Sequence, residues 1–305
     1  MGLFDKIKGP VFLKDNSDAE RHLEILKELQ KTAAGENAEA VEKQIRLTEA
    51  GIVGEKQVRF ELETSHIPMY VIHDLYLEHD GLSAQIDYLI ITRKRQFVIE
   101  CKNLYGDIEI NSSGDFIRTL TYGRHTKKEG IYSPITQNRR HMELIKQIRG
   151  GDRGAIARVL FEKNFFNNYR SVVVLSNPKT VLNAKYAKRE VRDQVIRADQ
   201  LAEYIRKVNA EPEAVASSEK DMEALAQYFM GIGKQPKVDY TEKLRTNVET
   251  ASRAQPAQVE VLPAAEEVKT PDPKSSAGDV VCPRCGAAMV RRKATKGANA
   301  DKEFF

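Results

Sequence analysis

The stretch Gln85-Ile-Asp-Tyr-Leu-Ile-Ile91, followed after Thr92-Arg-Lys-Arg95 by Gln96-Phe-Val-Ile-Glu-Cys-Lys102, decides how this chain is read. Both runs are short, β-branched and aromatic, and the polar residues between them form a turn, so together they make a hairpin. Side chains two apart share a strand face, so Glu100 and Lys102 project together while Phe97 and Ile99 point to the other side. A symmetric register about the turn sets Asp87 opposite Glu100. Two carboxylates side by side in a sheet repel each other, and a hard oxygen site of this kind suits Mg²⁺ or Mn²⁺. Such an ion polarises a phosphoryl oxygen and acidifies water, while a neighbouring lysine positions that water or offsets transition-state charge. The residues point to phosphodiester hydrolysis, although an unsupported Asp…Glu-x-Lys triplet is usually an ordinary solvent face.

The surroundings give the fold class. Tyr70-Val-Ile-His-Asp-Leu-Tyr-Leu77 before the hairpin and Asp107-Ile-Glu-Ile110 after it read as two more strands. Ser171-Val-Val-Val-Leu-Ser176 is an apolar run suited to a buried central strand. Helical signals flank them. Ser17 with Glu20 makes a capping-box pattern before Leu23, Leu26, Leu29 and Ala33. Gly35 and Gly51 punctuate helical sequence, with a further helix over Ile52, Val53, Glu55, Val58 and Leu62 to about Thr64. Ser133-Pro134 caps a helix carrying Ile135, Gln137, Arg139, Arg140, Met142, Ile145 and Ile148, and two more follow near Asp199–Val208 and Glu219–Met230. The expected fold is a mixed α/β core sheet flanked by helices, with an N-terminal helical extension.

The spacing Asp87-x12-Glu100-x-Lys102 resembles the PD-(D/E)xK nuclease superfamily, whose core is restriction-endonuclease-like, and its context resembles the nuclease-related domain family, NERD. The matching features are Gly54-Glu55, Gln85-Ile-Asp87, Phe97-Val-Ile-Glu-Cys-Lys-Asn103, Gly106, and Pro134 with Gln137. The resemblance implies metal ligation by Asp87 and Glu100 with the Cys101 backbone carbonyl, water activation or positioning by Lys102, a supporting acid at Glu55, and helpers at Gln85 and Gln137. Tyr88 replaces the histidine often found after the aspartate, and Cys101 stands where a small residue is common; neither change removes a metal ligand. The Cys101 thiol points toward the core and reads as a small hydrophobe. The histidines form no pair at metal spacing and read as surface or packing residues.

At the C-terminus, Cys282-Pro-Arg-Cys285-Gly286 is a thiolate knuckle, half of a zinc site. It resembles the zinc-ribbon repeats of bacterial type I DNA topoisomerases. The sequence stops where the second knuckle would begin, so the expectation is a truncated gene or an intermolecular site, with Zn²⁺ held only if the ribbon is completed. A complete ribbon with Arg284, Arg291, Arg292, Lys293 and Lys296 would suit single-stranded DNA.

These readings divide the chain into a helical extension (1–50), the nuclease-like core (51–174), helices packing on that core (175–233), a Pro/Ala/Glu-rich disordered linker (234–280) and the partial ribbon (281–305). The 305 residues carry 48 Lys+Arg against 44 Asp+Glu, which permits nucleic-acid contact without making a wholly basic protein. Three cysteines build no disulfide framework and suit a reducing cytoplasm. No apolar run is long enough for a membrane span, and the N-terminus lacks the pattern of a signal peptide. The leading expectation is a cytoplasmic, bacterial, Mg²⁺-dependent endonuclease acting on DNA in repair or processing. The alternative is a non-catalytic nucleic-acid-binding or scaffolding protein whose N-terminal helices form an oligomer surface.

Overall fold

A computed structural model describes residues 7–15, 17–212, 215–236, 241–254, 292–293 and 303–304. The chain begins with strand β1 (Pro10–Lys14), helix α1 (Asp18–Gln30) and the long helix α2 (Glu36–Glu63). Strands β2 (Met69–His79), β3 (Leu82–Ile91), β4 (Gln96–Lys102), β5 (Asp107–Ile110), β6 (Phe116–Tyr122) and β7 (His125–Ile131) follow. Next come α3 (Pro134–Gly151), α4 (Ala155–Asn168), β8 (Tyr169–Leu175), β9 (Leu182–Asn183), α5 (Arg189–Arg192) and β10 (Val195–Arg197). The remaining elements are α6 (Leu201–Asn209), α7 (Glu219–Ile232), α8 (Glu242–Ala254), β11 (Arg292–Lys293) and β12 (Glu303–Phe304).

The fold is mixed α/β, as the hydrophobic patterns predict. Its main sheet runs β1-β2-β3-β4-β8-β10. Strands β2, β3 and β4 are antiparallel neighbours, whereas β1 lies parallel to β2 and β8 lies parallel to both β4 and β10. Asp80-Gly81, both at positive φ, closes the β2–β3 hairpin, the backbone that a tight two-residue turn demands. Between β3 and β4, Thr92 closes the turn by donating its amide and hydroxyl to the Arg95 carbonyl at 3.0 and 2.8 Å. The resulting register, Ile91↔Gln96 through Tyr88↔Ile99, is the symmetric one read from the sequence.

Both faces of this sheet are covered. Leu89, Ile91 and Val98 pack with Met142 and Ile145 of α3 and Phe229 of α7. Tyr88, Ile90, Phe97 and Ile99 pack on the opposite side with Val58 and Leu62 of α2 and Leu201 and Ile205 of α6. A smaller sheet, β7-β6-β5-β9, lays Ile108, Ile110 and Phe116 against Val173 and Leu175 of β8. Among the described residues no helix is long and apolar enough to cross a membrane.

Several elements depart from the sequence reading. Gly51 does not interrupt α2, which crosses the expected 50/51 boundary; a glycine there costs about 1 kcal/mol, and the buried Val41, Ile45, Ile52, Val58 and Leu62 outweigh it. The N-terminal segment is not purely helical, because β1 joins the main sheet beside β2. Between Ile110 and Ser133, where the sequence reading assigns no element, runs the ribbon β6–β7, whose alternation is masked by polar residues on both faces. The segment 175–233 contributes strands β9 and β10 as well as helices. Part of the expected linker is ordered: α8 places Val248 against Leu26, Val41 and Ile45.

The chain separates into two units, Met1–Gln255 and Pro256–Phe305. Within the second, β11 pairs antiparallel with β12. Residues 255–280 of the expected linker, and Cys282 and Cys285, lie outside the described residues.

Burying a valine side chain is worth about 1.5–3 kcal/mol. Val248→Asp is therefore expected to detach α8 and speed amide exchange across it while leaving β4 protected; unchanged exchange in α8 would refute this packing.

Candidate active site

The site is built at the C-terminal end of β4, where the β3–β4 ladder has just ended at Tyr88↔Ile99. There Asp87 no longer faces a ladder partner, and its Oδ2 accepts the Cys101 amide at 2.6 Å. Glu100 is 1 % exposed, and Lys102, on the same strand face, donates Nζ to Glu100 Oε1 at 2.5 Å. The other carboxylate oxygen, Glu100 Oε2, is buried without a hydrogen-bond partner. Asp87, Glu100 and Lys102 thus lie together at the end of the hairpin, with Asp87 on the Cys101 amide and not paired across the ladder with Glu100 as the symmetric register suggests.

Helix α2 adds Glu55, whose delivery depends on Gly54. A Cβ at residue 54 would lie 2.6 Å from Ser176 Oγ and 2.7 Å from Asn103 Cβ, so only glycine allows the helix to approach the ends of β4 and β8 this closely. Asn103 fastens the same approach by donating Nδ2 to the Ala50 carbonyl at 2.7 Å. Tyr88 donates its hydroxyl to the Glu55 carbonyl at 2.9 Å. The Glu55 carboxylate meets His73 Nε2 at 2.9 Å, and His73 in turn stacks on Tyr88 with ring centroids 4.5 Å apart.

Helix α3 closes the site from the other face of the sheet. Buried Asn138 donates Nδ2 to the Val98 carbonyl at 2.8 Å and to Ser171 Oγ at 2.9 Å, pinning the helix over β4 and β8. One turn beyond Gln137, His141 sets Nδ1 3.6 Å from Glu100 Oε2, too far for a hydrogen bond. Gln137 is half-buried on that same helical stripe. Gln85 is engaged elsewhere: its Nε2 donates at 2.6 Å to Asp74, a buried carboxylate at positive φ that also accepts the first amide of α1 at 2.9 Å. Gln85 therefore braces the end of α1 through Asp74.

The electrostatics follow from crowding three acids where solvent access is restricted. Burial, then Glu100, then Glu55 push the Asp87 carboxyl well above its ordinary range, against the Cys101 amide and Lys102. Burial also raises Glu100, with Lys102 pulling it back. For Lys102 burial acts downward, but Glu100 and Asp87 outweigh it and the ammonium is raised. His141 is pushed down to about 4 by burial and by Lys102, so it stands neutral near pH 7 and makes no ion pair with Glu100. Burial and Asp87 raise the Cys101 thiol, and its Sγ lies 3.6 Å from Ser176 Oγ, the environment of an inert core thiol.

Sequence reading missed His73, Asp74 and His141. A search for histidine pairs passes over both histidines, and Asp74 is one polar residue inside an apolar strand; the available signal for His141 was its i+4 spacing from Gln137.

An orphaned, buried, anionic oxygen such as Glu100 Oε2 beside a second acid is a donor set that hard divalent cations accept. Among the described residues no three His, Cys, Asp or Glu side chains converge as a complete cage. Any such ion would draw its remaining ligands from main-chain oxygens and water, which is how Mg²⁺ is commonly held.

Residues 50–176 match the family model described as nuclease-related domain, NERD. The match supports that family for the span running from the C-terminal part of α2 through β8. No curated protein and no solved structure matches the chain.

Two outcomes are expected from this geometry. Gly54→Ala overpacks the α2–β4 contact and should lower unfolding free energy by about 1–3 kcal/mol in denaturant titration; wild-type stability would refute the close approach. Asp87→Asn keeps an oxygen for the Cys101 amide while removing a like charge. It is expected to raise the melting temperature of metal-free protein by about 2–4 °C per kcal/mol gained, and a lowered melting temperature would contradict the repulsion.

Proposed function

We propose that this protein is a Mg²⁺- or Mn²⁺-dependent nuclease of the PD-(D/E)xK type that hydrolyses phosphodiester bonds in DNA, with a role in DNA repair or processing. The observation carrying this reading is the acid pair of half-buried Asp87 and buried Glu100, with Lys102 on the Glu100 carboxylate, inside a span that matches a nuclease-related domain.

In this reading Asp87 and Glu100 would hold the cation through the oxygens not engaged by Cys101 and Lys102. The Cys101 amide is turned toward Asp87, and strand geometry turns its carbonyl the same way, offering it as a main-chain ligand. When bound, the ion supplies the charge that polarises a phosphoryl oxygen and acidifies water. Lys102, 29 % exposed at its side chain, presents an ammonium that orients water and offsets charge on the phosphorane. Glu55, fixed by His73, holds a further carboxylate at the rim. Neutral His141 and Gln137 on α3 line the far side as hydrogen-bonding groups.

A second reading, a nuclease-like fold that binds nucleic acid without cutting it, draws on the lack of a complete side-chain cage among the described residues. Chelation separates the two. Incubating the full chain with single-stranded, duplex and flapped DNA in Mg²⁺ is expected to give cleavage that EDTA abolishes. Losing one preorganised charge-stabilising group costs on the order of 10²–10³ in rate, so Asp87→Asn, Glu100→Gln and Lys102→Ala should each lose at least that while keeping a cooperative melt. Equal cleavage by the triple variant would sink the assignment, and binding without cleavage in any metal would favour the second reading.

A further inference from the structure

The four strongly exposed tyrosines among the described residues, Tyr105, Tyr122, Tyr132 and Tyr186, are 57–65 % exposed, and all lie on the small sheet or its connections. Tyr105 is in the loop after β4, Tyr122 ends β6, Tyr132 links β7 to α3, and Tyr186 links β9 to α5. The other described tyrosines are buried or half-buried. Rings left in water on one sheet and its connections call for a partner with flat apolar faces.

Cations are interleaved with these rings. Arg140 lies 5.8 Å from the Tyr132 ring centroid and Lys185 lies 5.6 Å from that of Tyr186. The β6–β7 ribbon carries Arg118, Arg124, Lys127 and Lys128 against the single acid Glu129. Glu129 engages Arg118 Nε at 2.9 Å and Lys127 Nζ at 3.0 Å, leaving the ribbon cationic.

The ribbon is tied to the candidate site through the backbone. Its tip is a two-residue turn between Tyr122 and His125, with Gly123 at positive φ. Tyr122 and Leu120 share one face of β6, and Leu120 packs over Gly106, where an added Cβ would lie 2.8 Å from its Cδ2 and closer still to the Thr119 carbonyl. Gly106 belongs to the loop after Lys102. The other end of the ribbon runs into α3, which carries Gln137 and His141.

We infer that the small sheet is a grip for single-stranded nucleic acid, its tyrosines stacking on bases and its cations tracking the phosphates. A ring stacks only on a base whose face is bare, and neighbouring pairs cover both faces in an intact duplex. The inference rests on the nuclease reading only for the fate of the bound strand, since the grip itself requires no metal.

The test is fluorescence anisotropy on the full chain in EDTA, with labelled oligothymidylate, oligouridylate and a mixed-sequence duplex of equal length. Oligothymidylate is expected to bind more tightly than the duplex, and the oligouridylate arm separates a DNA from an RNA ligand. Stacking is worth about 1–3 kcal/mol per base, so Tyr122→Ala and Tyr105→Ala should each weaken binding roughly 5- to 150-fold, while Tyr122→Phe retains it. Lys127→Ser with Lys128→Ser should flatten the salt dependence of log Kd by about 1.4. Equal affinity for the duplex, or tyrosine variants that bind like the wild type while melting normally, would overturn the grip. Tight single-strand binding with no metal-dependent cleavage would leave the grip standing and remove the nuclease reading.

Discussion

A carboxylate taken out of water must be charged against a partner or neutralised, and the end of the β3–β4 hairpin holds a buried one, Glu100, beside the half-buried Asp87. Lys102 answers one oxygen of Glu100 and the Cys101 amide answers one of Asp87, which leaves the set short of positive charge. Much of the surrounding architecture serves to keep this shortage in place. The sheet closes it from below, α2 from one side and α3 from the other, and Asn138 and Asn103 tie each helix to strand or helix backbone. A hydrophobic replacement of the pair would relieve the repulsion, so stability alone does not account for it.

The hairpin was legible because its signals are local. A period-2 pattern, a four-residue turn and the parity of positions 100 and 102 fix register and face without reference to the rest of the chain. The strand β8 and helices α3, α6 and α7 were legible for similar reasons, through an apolar run or a cap followed by a stripe. The ribbon β6–β7 was not, because both its faces are polar and its stability comes from pairing and from Phe116 at its base. The short β10 and the edge strand β1 carry too few residues to show a period, and α8 is held by tertiary contact through Val248, which a compositional reading takes for linker.

Within the site, sequence identified the groups that carry charge and missed those that position them. Gln85 was read as a helper at the metal, yet its amide is committed to Asp74. His73 and His141 come from elements distant in sequence; nothing near His73 announces that it braces Glu55, and only the i+4 spacing from Gln137 hints that His141 faces Glu100. The Gly54-Glu55 pair is the instructive case. Its glycine is explained by the atoms of Ser176 and Asn103, which no local pattern could supply.

The uninterrupted course of α2 gives the molecule a mechanical property. Its 28 residues span about 42 Å as a single rod, with Val41 and Ile45 gripped by α1 and α8 near one end and Glu55 standing over the hairpin nearer the other. From Ile45 to Glu55 is about 15 Å of unbroken helix, stiff on that scale. The α1–α8 clasp and the Gly54 contact are therefore two anchor points on one rigid element, and together they fix where Glu55 stands along the helix axis.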